Sequence, residues 1–311
     1  KQNLLNLLEG AEGEWVEVRP YNPAKGPKDT DESTDTWDTV EWLVKNVSCN
    51  NGRVGMWGIS YPGFYVSVGM IGAHPALKAV SPQAPVTDYY LGDDSFHNGA
   101  FMLAANFGFY TNFLPRLKPE RPQERPRFDY GTPSGYEFYL QMGSLWTGAE
   151  HYGLLENPYY RGNLEHTSYD EFWKARSLWR HFKGITPAVL AVGGWFDAED
   201  LAGPLRTYAT LRADSPATES HLVMGPWTHG SWARGDGRTV GNLDFGQDAS
   251  AWYREQVEFP FFMQHLTDKA VEPVAAATVF ETGTNRWRTF DTWPPAGARE
   301  TMYLGAAGTL S

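Results

Sequence analysis

Several features common in other proteins are scarce in this sequence. Cys49 is the only cysteine in 311 residues, so the chain can form neither an internal disulfide nor a multi-thiolate metal site. No apolar run of about 18 residues occurs, which argues against a membrane span. With 26 basic and 37 acidic residues, the formal net charge is −11, which argues against a nucleic-acid partner. The sequence has no internal repeats. Its 311 residues, 41% of them hydrophobic, are enough for one large globular domain with additions or for two domains.

What the sequence does contain is an alternation of strand and helix patterns. The predicted elements are strands at 53–59, 77–80, 188–193 and 221–224 and helices at 61–71 and 204–211. Pro62 falls in the first turn of a predicted helix, where a missing N–H costs nothing. Strand, helix and strand in succession predict a parallel sheet and an α/β fold.

Two regions depart from this alternation. Residues 97–181 mix aromatic, proline and polar residues without strand alternation, which predicts an inserted helical cap. A helical pattern over 249–266 is predicted to kink at Pro260, because proline lacks the N–H that a helix interior needs. After that helix the pattern becomes β-like, with predicted strands at 277–281, 287–290 and 302–304. These strands are interpreted as the start of a separate β domain.

The segment VGMWGISYPG has features of a nucleophile elbow, in which a strand delivers a serine into a sharp turn before a helix. Gly58 stands two residues before Ser60. Two residues after the serine comes Pro62, where the general motif has glycine, and Gly63 follows. N–H groups at the start of the helix, including that of Tyr61, would stabilise an oxyanion. Taken alone, the segment also fits an ordinary strand–turn–helix connection.

A nucleophilic serine needs a base, since a free hydroxyl barely ionises at neutral pH. His229 follows the strand predicted at 221–224, and Asp197 follows the strand predicted at 188–193. The carboxyl ends of parallel strands meet at one edge of a sheet, where ligands bind. The chain order Ser60, Asp197, His229 is the order found in α/β-hydrolases, so the sequence predicts a catalytic triad. As alternatives, a loop histidine is often a surface residue, and an aspartate after a strand often caps a helix.

The remaining histidines fit the role of base less well. His74 and His97 follow the serine too closely for this chain order, and His221 begins a strand at the wrong end. The others lie in the predicted insertion or in helices, namely His151, His166, His181 and His265. His229 is therefore the predicted base.

Four longer motifs resemble a known family. WGISYPGFY, AHPALKAVSPQAPVTD, WFDAEDL and VMGPWTHG resemble segments of the X-prolyl dipeptidyl peptidase and cocaine esterase group of serine hydrolases. Within that group the sequence is most similar to α-amino acid ester hydrolases and to relatives described as acyl esterases or glutaryl-cephalosporanic acid acylases. The resemblance runs from about Gly13 to Leu304. The elbow of this family reads G-x-S-Y-x-G, which accounts for Pro62.

The resemblance implies an α/β-hydrolase core with a helical cap and a C-terminal jelly roll. The corresponding boundaries place the core at 1–96 and 182–270, the cap at 97–181 and the start of the jelly-roll domain at 271–311. We expect further N-terminal strands outside this sequence, together with an earlier tyrosine that serves as the second oxyanion donor in the family. Tyr21 lies downstream of the position of that tyrosine, so this role is not assigned to Tyr21. The resemblance also implies a periplasmic or secreted location. No metal or organic cofactor is expected.

The resemblance also implies roles for individual residues. The catalytic roles fall on Ser60, Asp197, His229 and the backbone N–H of Tyr61. α-Amino acid ester hydrolases hold the α-ammonium group of the substrate with three carboxylates, and the matching positions are Asp94, Glu199 and Asp200. Three neighbouring carboxylates repel one another, and a bound cation relieves that repulsion. Alternatively, Glu199 and Asp200 favour the N-terminus of the next helix, and Asp93 or Asp94 caps a turn.

The expected function is hydrolysis, with acyl transfer as a further reaction, of esters or amides of α-amino acids. Ser60 would attack the carbonyl, His229 would move the proton and Asp197 would hold the imidazole tautomer. The expected partner is a small-molecule ester or amide with a free α-amine. The sequence is also compatible with a homo-oligomer. The alternatives are a general acyl esterase, a glutaryl-cephalosporanic acid acylase, an X-prolyl dipeptidyl peptidase, or a non-catalytic carbohydrate-binding or scaffolding module.

Overall fold

The computed structural model describes residues 31–92, 94–112, 128–297 and 300–309. The first part of the predicted core, with Tyr21, lies outside these ranges, as does Asp93. The helices are α1 Glu32–Asn46, α2 Tyr61–Gly69, α3 Leu103–Asn112, α4 Gly135–Met142, α5 Leu145–His151, α6 Pro158–Glu165, α7 Glu171–Lys174, α8 Ala202–Asp214, α9 Ala249–Tyr253 and α10 Phe259–Leu266. The strands are β1 Val54–Ile59, β2 Leu77–Gln83, β3 Phe96–His97, β4 Ala100–Phe101, β5 Ala188–Gly194, β6 Ser220–Gly225, β7 Thr239–Val240, β8 Leu243–Asp244, β9 Ala277–Glu281 and β10 Arg286–Phe290.

A six-stranded sheet in the order β1-β2-β5-β6-β9-β10 forms the centre of the described structure. Strands β1, β2, β5, β6 and β9 pair in parallel, and β10 returns antiparallel to β9. Every residue of β5 and β6 is buried, which explains why these strands read as continuous apolar runs rather than alternating ones. The parallel α/β arrangement predicted from the sequence is therefore confirmed.

The region predicted as a cap is mainly helical where the structure describes it, although the short strands β3 and β4 pair at its start. Short helices α4 to α7 each begin after a polar residue whose side chain accepts a backbone N–H of the first turn, as N-cap residues do. These caps are Ser134, Ser144, Asn157 and Asp170. Aromatic side chains fill the space between the helices and the sheet, with Phe107, Tyr160 and Trp173 at most 1% exposed. Many of the chain's aromatic residues therefore serve as core.

The helical stretch at 249–266 is interrupted, but the break does not lie at Pro260. A π-helical turn at Arg254–Glu258 separates α9 from α10, and Pro260 occupies the first turn of α10. Proline has no backbone N–H to donate, and the first turn of a helix requires no such donor. The irregular turn therefore lies before Pro260 rather than at it.

The last two strands correct a predicted boundary. The sequence assigned 277–281 and 287–290 to a separate β domain, whereas β9 pairs with β6 and β10 with β9 in the central sheet. Strand periodicity identifies a strand but not the sheet that it joins, so the pattern alone could not place these two. No strand forms at 302–304, where Leu304 makes only an isolated bridge. The jelly-roll domain stays a prediction.

A helix must be long and apolar to cross a membrane. In the described ranges, none of the helices combines the length and the apolar character that crossing a bilayer requires.

Candidate active site

Ser60 sits at a strained turn between β1 and α2. Its backbone has φ 65° and ψ −126°, a region that residues other than glycine rarely occupy. The turn is held on both sides: the Ser60 N–H donates to the Gln83 carbonyl at 3.0 Å, and the Phe64 N–H donates to the Ser60 carbonyl at 2.9 Å. Such strain persists only where the surroundings enforce it, and it is concentrated at functional sites.

The glycines beside Ser60 are required by backbone contacts. A Cβ added at Gly58 would lie 2.5 Å from the Pro62 carbonyl oxygen, and one at Gly63 would lie 2.5 Å from the Gln83 carbonyl oxygen. Backbone atoms cannot rotate away as a flexible side chain can. The turn therefore needs glycine two residues before and three residues after the serine, and the intervening Pro62 is compatible with an elbow.

Asp197 and His229 form the predicted acid–base pair. His229 Nδ1 lies 2.8 Å from Asp197 Oδ2, and the Asp197 side chain is fully buried. The other carboxylate oxygen accepts the N–H groups of Glu199 and Asp200 at 2.9 and 3.0 Å. With Nδ1–H directed to Asp197, the Nε2 atom of a neutral imidazole carries the lone pair that a general base needs.

The two groups stabilise each other's charge. Burial raises the pKa of the Asp197 carboxyl, but hydrogen bonds from His229 and from two backbone N–H groups outweigh burial and lower it. Burial lowers the pKa of the His229 imidazole, but Asp197, together with the charges of Glu199 and Asp94, outweighs that effect and raises it. The pair is therefore set up to accept a proton on the imidazole.

The loop that carries His229 lies against the strand that carries Ser60. A Cβ added at Gly230 would contact Ile59 Cγ2 at 3.4 Å, and Ile59 directly precedes the serine. His229 Nε2 lies 3.8 Å from Glu199 Oε2. Glu199 in turn lines the same pocket as Ser60. The three predicted triad residues are thus drawn to one edge of the sheet.

An open pocket of about 500 Å³, part of which is continuous with solvent, connects Ser60 to the cap. Its walls combine the elbow, two acidic side chains and a group of aromatic rings. The lining residues are Ser60, Tyr61, Tyr89, Asp94, Ala105, Asn106, Phe109, Tyr110, Tyr159 and Glu199. The pocket therefore places acidic and aromatic side chains beside the elbow serine.

The three predicted substrate-binding carboxylates are brought together. Asp94, Glu199 and Asp200 each offer an oxygen, and these oxygens lie within 4.8 Å of one another. Burial, followed by the charge of Glu199, raises the pKa of the Asp94 carboxyl to about 7. Asp94 has a left-handed backbone, with φ 57°, and its carbonyl accepts the amide of Asn106 at 3.1 Å. The cluster can hold a cation, whether an ammonium group or a metal ion.

Sequence reasoning did not identify the four aromatic residues that line the pocket beside Asp94, which we call the cap wall. Tyr89, Phe109, Tyr110 and Tyr159 line the pocket but come from three separate segments of the chain. Aromatic residues are frequent throughout the sequence, so no local signal distinguished these four. Only their convergence in the fold shows which aromatics line the pocket.

A buried carboxylate, Asp88, was also missed. Its Oδ1 accepts the N–H groups of Tyr90 and Leu91 at 3.1 and 3.0 Å. Its Oδ2 accepts three donors of the cap at 2.7, 2.9 and 3.0 Å, namely the Tyr169 hydroxyl, the Ser177 hydroxyl and the Trp179 indole N–H. Asp88 thereby joins the cap to the loop that leads to Asp94.

These features define an α/β-hydrolase fold with an elbow serine, an Asp–His pair and a capped pocket. The family described as X-Pro dipeptidyl-peptidase (S15 family) matches residues 10–231. The chain therefore belongs to this family, as the motifs in the sequence indicated.

Individual relatives are esterases and peptidases. The chain is 27% identical to the cocaine esterase of Rhodococcus sp. (strain MB1 Bresler), over 98% of this chain and 51% of that protein. Among solved structures, an α-amino acid ester hydrolase has TM-score 0.82 and 35% identity, over 96% of this chain and 49% of that one. An aminopeptidase from a marine sediment archaeon (Thaumarchaeota archaeon) has TM-score 0.82 and 34% identity, over 95% and 48%. The chain spans about half the length of these relatives.

Proposed function

We propose that this protein is a serine hydrolase that cleaves, and transfers, the acyl groups of α-amino acid esters or amides. The observation that carries the proposal is that Ser60 and the carboxylates Asp94 and Glu199 line one pocket. A substrate whose carbonyl reaches the serine can therefore place a cationic group against the acids. The similarity to an α-amino acid ester hydrolase and to an aminopeptidase supports the same substrate class.

The proposed chemistry proceeds through an acyl-enzyme. Ser60 Oγ attacks the substrate carbonyl while His229 Nε2 takes the hydroxyl proton. Asp197 holds the Nδ1–H tautomer and stabilises the imidazolium that forms. The Tyr61 N–H, at the start of α2, stabilises the oxyanion. The leaving alcohol or amine receives the proton from His229, and water or another nucleophile then releases the acyl group by the same steps in reverse.

The carboxylate cluster is proposed to bind the α-ammonium group. An ammonium group presents three N–H donors, and Asp94, Glu199 and Asp200 present three acceptors. The positive charge would relieve the mutual repulsion that contributes to the raised pKa of Asp94. A substrate without the amine would leave the acids uncompensated, so the pocket would discriminate against it.

The substrate class is tested with esters in matched pairs, with and without the α-amine. We expect wild type to prefer the amino ester in kcat/KM, and Asp94→Asn and Glu199→Gln to reduce that preference by about tenfold or more. Glu171→Gln, which removes an equally negative charge from an exposed side chain of the cap, is the control. If both site variants retain the wild-type preference, the ammonium site is rejected.

The raised pKa of Asp94 adds a pH signature. As pH falls below about 7, Asp94 becomes protonated and loses its attraction for the ammonium group. KM for the amino ester should therefore rise below that pH, while KM for the des-amino ester should not. The two KM profiles are compared over pH 5.5 to 8.5; parallel profiles would argue against the role of Asp94.

The nucleophile is tested separately from the substrate class. Ser60→Ala should lose turnover by about 10⁴-fold or more while keeping the wild-type melting temperature. A fluorophosphonate probe should label wild type but not this variant. Labelling tests the alternative of a non-catalytic binding module, which predicts no reaction at Ser60.

A general ester substrate is the second candidate, because the chain is also similar to a cocaine esterase. It predicts the same triad and the same probe labelling, with no preference for the free amine. A glutaryl-type acylase or an X-prolyl dipeptidyl peptidase would instead show its preference in a panel of glutaryl amides and X-Pro p-nitroanilides. The matched ester pairs therefore separate these candidates from the leading one.

A further inference from the structure

We propose that the Tyr89 hydroxyl determines specificity by donating a hydrogen bond to an acceptor on the acyl side chain of the substrate; this inference rests on the proposed function. Tyr89 follows Asp88 in the loop that leads to the carboxylate cluster, and it lines the pocket together with Ser60 and Asp94. Its side chain belongs to the cap wall rather than to the elbow.

The Tyr89 hydroxyl is buried without a hydrogen-bond partner among the residues that the structure describes. The residue as a whole is 4% exposed. Its ring packs against Phe64 and Tyr159, with centroids 6.1 and 5.8 Å away. A buried hydroxyl that lacks a partner is costly, and in a binding pocket the missing partner can be supplied by the ligand.

The Tyr89 hydroxyl can act as a donor under all ordinary conditions. Burial, together with neighbouring tyrosines and Asp94, raises the pKa of the phenol well above its usual value. The proton is therefore retained, and a substrate atom with a lone pair is the complementary group. Ether, carbonyl, amide and pyridine acceptors all meet this requirement, whereas alkyl and phenyl side chains do not.

The substrate's ammonium group is not the partner that this donor needs. Its three N–H groups match the three carboxylates of Asp94, Glu199 and Asp200, and an ammonium nitrogen has no lone pair to accept with. With the carbonyl at Ser60 and the ammonium at the acids, the remaining substituent on the α-carbon is the side chain. It extends toward the wall formed by Tyr89, Phe109, Tyr110 and Tyr159.

The test uses side chains that differ only in an acceptor. O-Methylserine and norvaline methyl esters differ by an oxygen in place of a methylene, and 3-(4-pyridyl)alanine and phenylalanine methyl esters differ by a ring nitrogen in place of a C–H. Each pair is assayed for kcat/KM with wild type and with Tyr89→Phe. We expect Tyr89→Phe to lower the acceptor-to-apolar ratio by about tenfold for at least one pair.

Tyr90→Phe is the control, since it removes the hydroxyl of the next residue. The Tyr90 hydroxyl donates to the Thr167 carbonyl at 2.8 Å, and Tyr90 is not among the pocket-lining residues. This variant should lower the melting temperature and leave the ratios unchanged. Tyr89→Phe should not lower the melting temperature, because it removes a hydroxyl that has no partner in the described protein.

The outcomes separate the inference from the proposed function. Calorimetric binding of the four esters to Ser60→Ala and to Ser60→Ala/Tyr89→Phe gives the acceptor-to-apolar ratio of affinities, without turnover. Unchanged ratios in Tyr89→Phe, by kinetics and by binding, would overturn the Tyr89 assignment even if the amine preference holds. The des-amino analogues, 3-methoxypropanoate and pentanoate methyl esters, test the opposite case. If wild type hydrolyses them as efficiently as the amino esters, the amine preference fails. A ratio that still falls in Tyr89→Phe would then support the Tyr89 assignment alone.

Discussion

The two sides of the pocket are built in different ways. On the sheet side, backbone contacts dictate the geometry: Ser60 is held between the Gln83 carbonyl and the Phe64 N–H, and neighbouring glycines leave no room for a Cβ. On the cap side, side chains dictate it, through aromatic packing and the hydrogen bonds to Asp88. Backbone geometry tolerates little variation, whereas a wall of side chains can be changed residue by residue. We infer that the sheet side sets the reaction and the cap side sets the substrate.

The acidic residues belong to both sides. Asp94 enters the pocket from the loop anchored by Asp88, whereas Glu199 and Asp200 follow Asp197 directly. Their N–H groups donate to the same carboxylate oxygen, so the turn that orients Asp197 also places these two acids. The proposed catalytic and substrate-binding groups are therefore coupled on the sheet side, and Asp94 depends on the cap.

The largest effect expected on the sheet side comes from Asp197→Asn. An asparagine cannot hold the same histidine tautomer with the same charge, so kcat should fall by about 10⁴-fold. Rates are measured with an amino ester, and Asp214→Asn, an exposed position at the end of α8, is the control. A loss smaller than tenfold would show that Asp197 is not the orienting acid.

The backbone contacts around Ser60 are tested by Gly63→Ala. The added Cβ would meet the Gln83 carbonyl oxygen at 2.5 Å, so we expect the free energy of unfolding to fall by about 2–4 kcal/mol. In Gly135→Ala, at the start of α4, the Cβ would lie 4.0 Å from the Tyr139 ring, and the change should stay within about 1 kcal/mol. Urea denaturation compares the two variants. Equal stabilities would mean that the elbow is not constrained as described.

On the cap side, Asp88→Asn should have a smaller but measurable effect. An amide cannot accept all the donors around it, so the free energy of unfolding should fall by about 2 kcal/mol. KM for amino esters should rise more than kcat falls, because Asp94 and the wall lose their anchor. Glu171→Gln on the same cap is the control for thermal melting and kinetics. A fall in kcat with unchanged KM would contradict the division between the two sides.

The smallest expected effect is a shift of the pH profile in Glu199→Gln. Glu199 lies 3.8 Å from His229 Nε2, and its negative charge contributes to the raised pKa of the imidazole. The base must be neutral, so activity in wild type should rise with pH through a pKa higher than that of a free imidazole. Removing the negative charge lowers that pKa, so the acid limb should move to lower pH. Because Glu199 is 42% exposed, the shift should be less than about one pH unit.

This shift is measured with a des-amino ester, so that loss of ammonium binding does not contribute. Glu171→Gln should leave the profile where it is in wild type. A shift of the Glu199→Gln profile to higher pH would contradict the assignment of Glu199 as a neighbour of the base.

Much of the core and of the triad could be predicted from the sequence. The apolar runs at β1, β2, β5 and β6 are long enough to indicate strands, although β1 is only partly buried. The residues that follow three of these strands were expected to meet at one edge of the sheet. That rule and the chain order predicted Ser60, Asp197 and His229 as a triad, and the structure pairs His229 with Asp197. The same reasoning failed for β9 and β10, because a strand pattern carries no information about its partner strand.

The cap wall could not be predicted in the same way. Tyr89, Phe109, Tyr110 and Tyr159 come from three separate segments of the chain. The sequence has 46 aromatic residues, by its counts of 13 Trp, 16 Tyr and 17 Phe. Nothing local marks the few that line the pocket. Asp88 carried no signal either, since its hydrogen-bond partners in the cap lie up to 91 residues away.

The amino-acid sequence by itself determined the parallel sheet, the elbow and the chain order of the candidate triad, because these depend on local patterns and on where parallel strands end. Only the tertiary structure decided which aromatics face Ser60, how the three acids meet and where β9 and β10 pair. Those outcomes depend on contacts between distant segments, and such contacts are settled by packing the whole chain rather than by any one stretch of it.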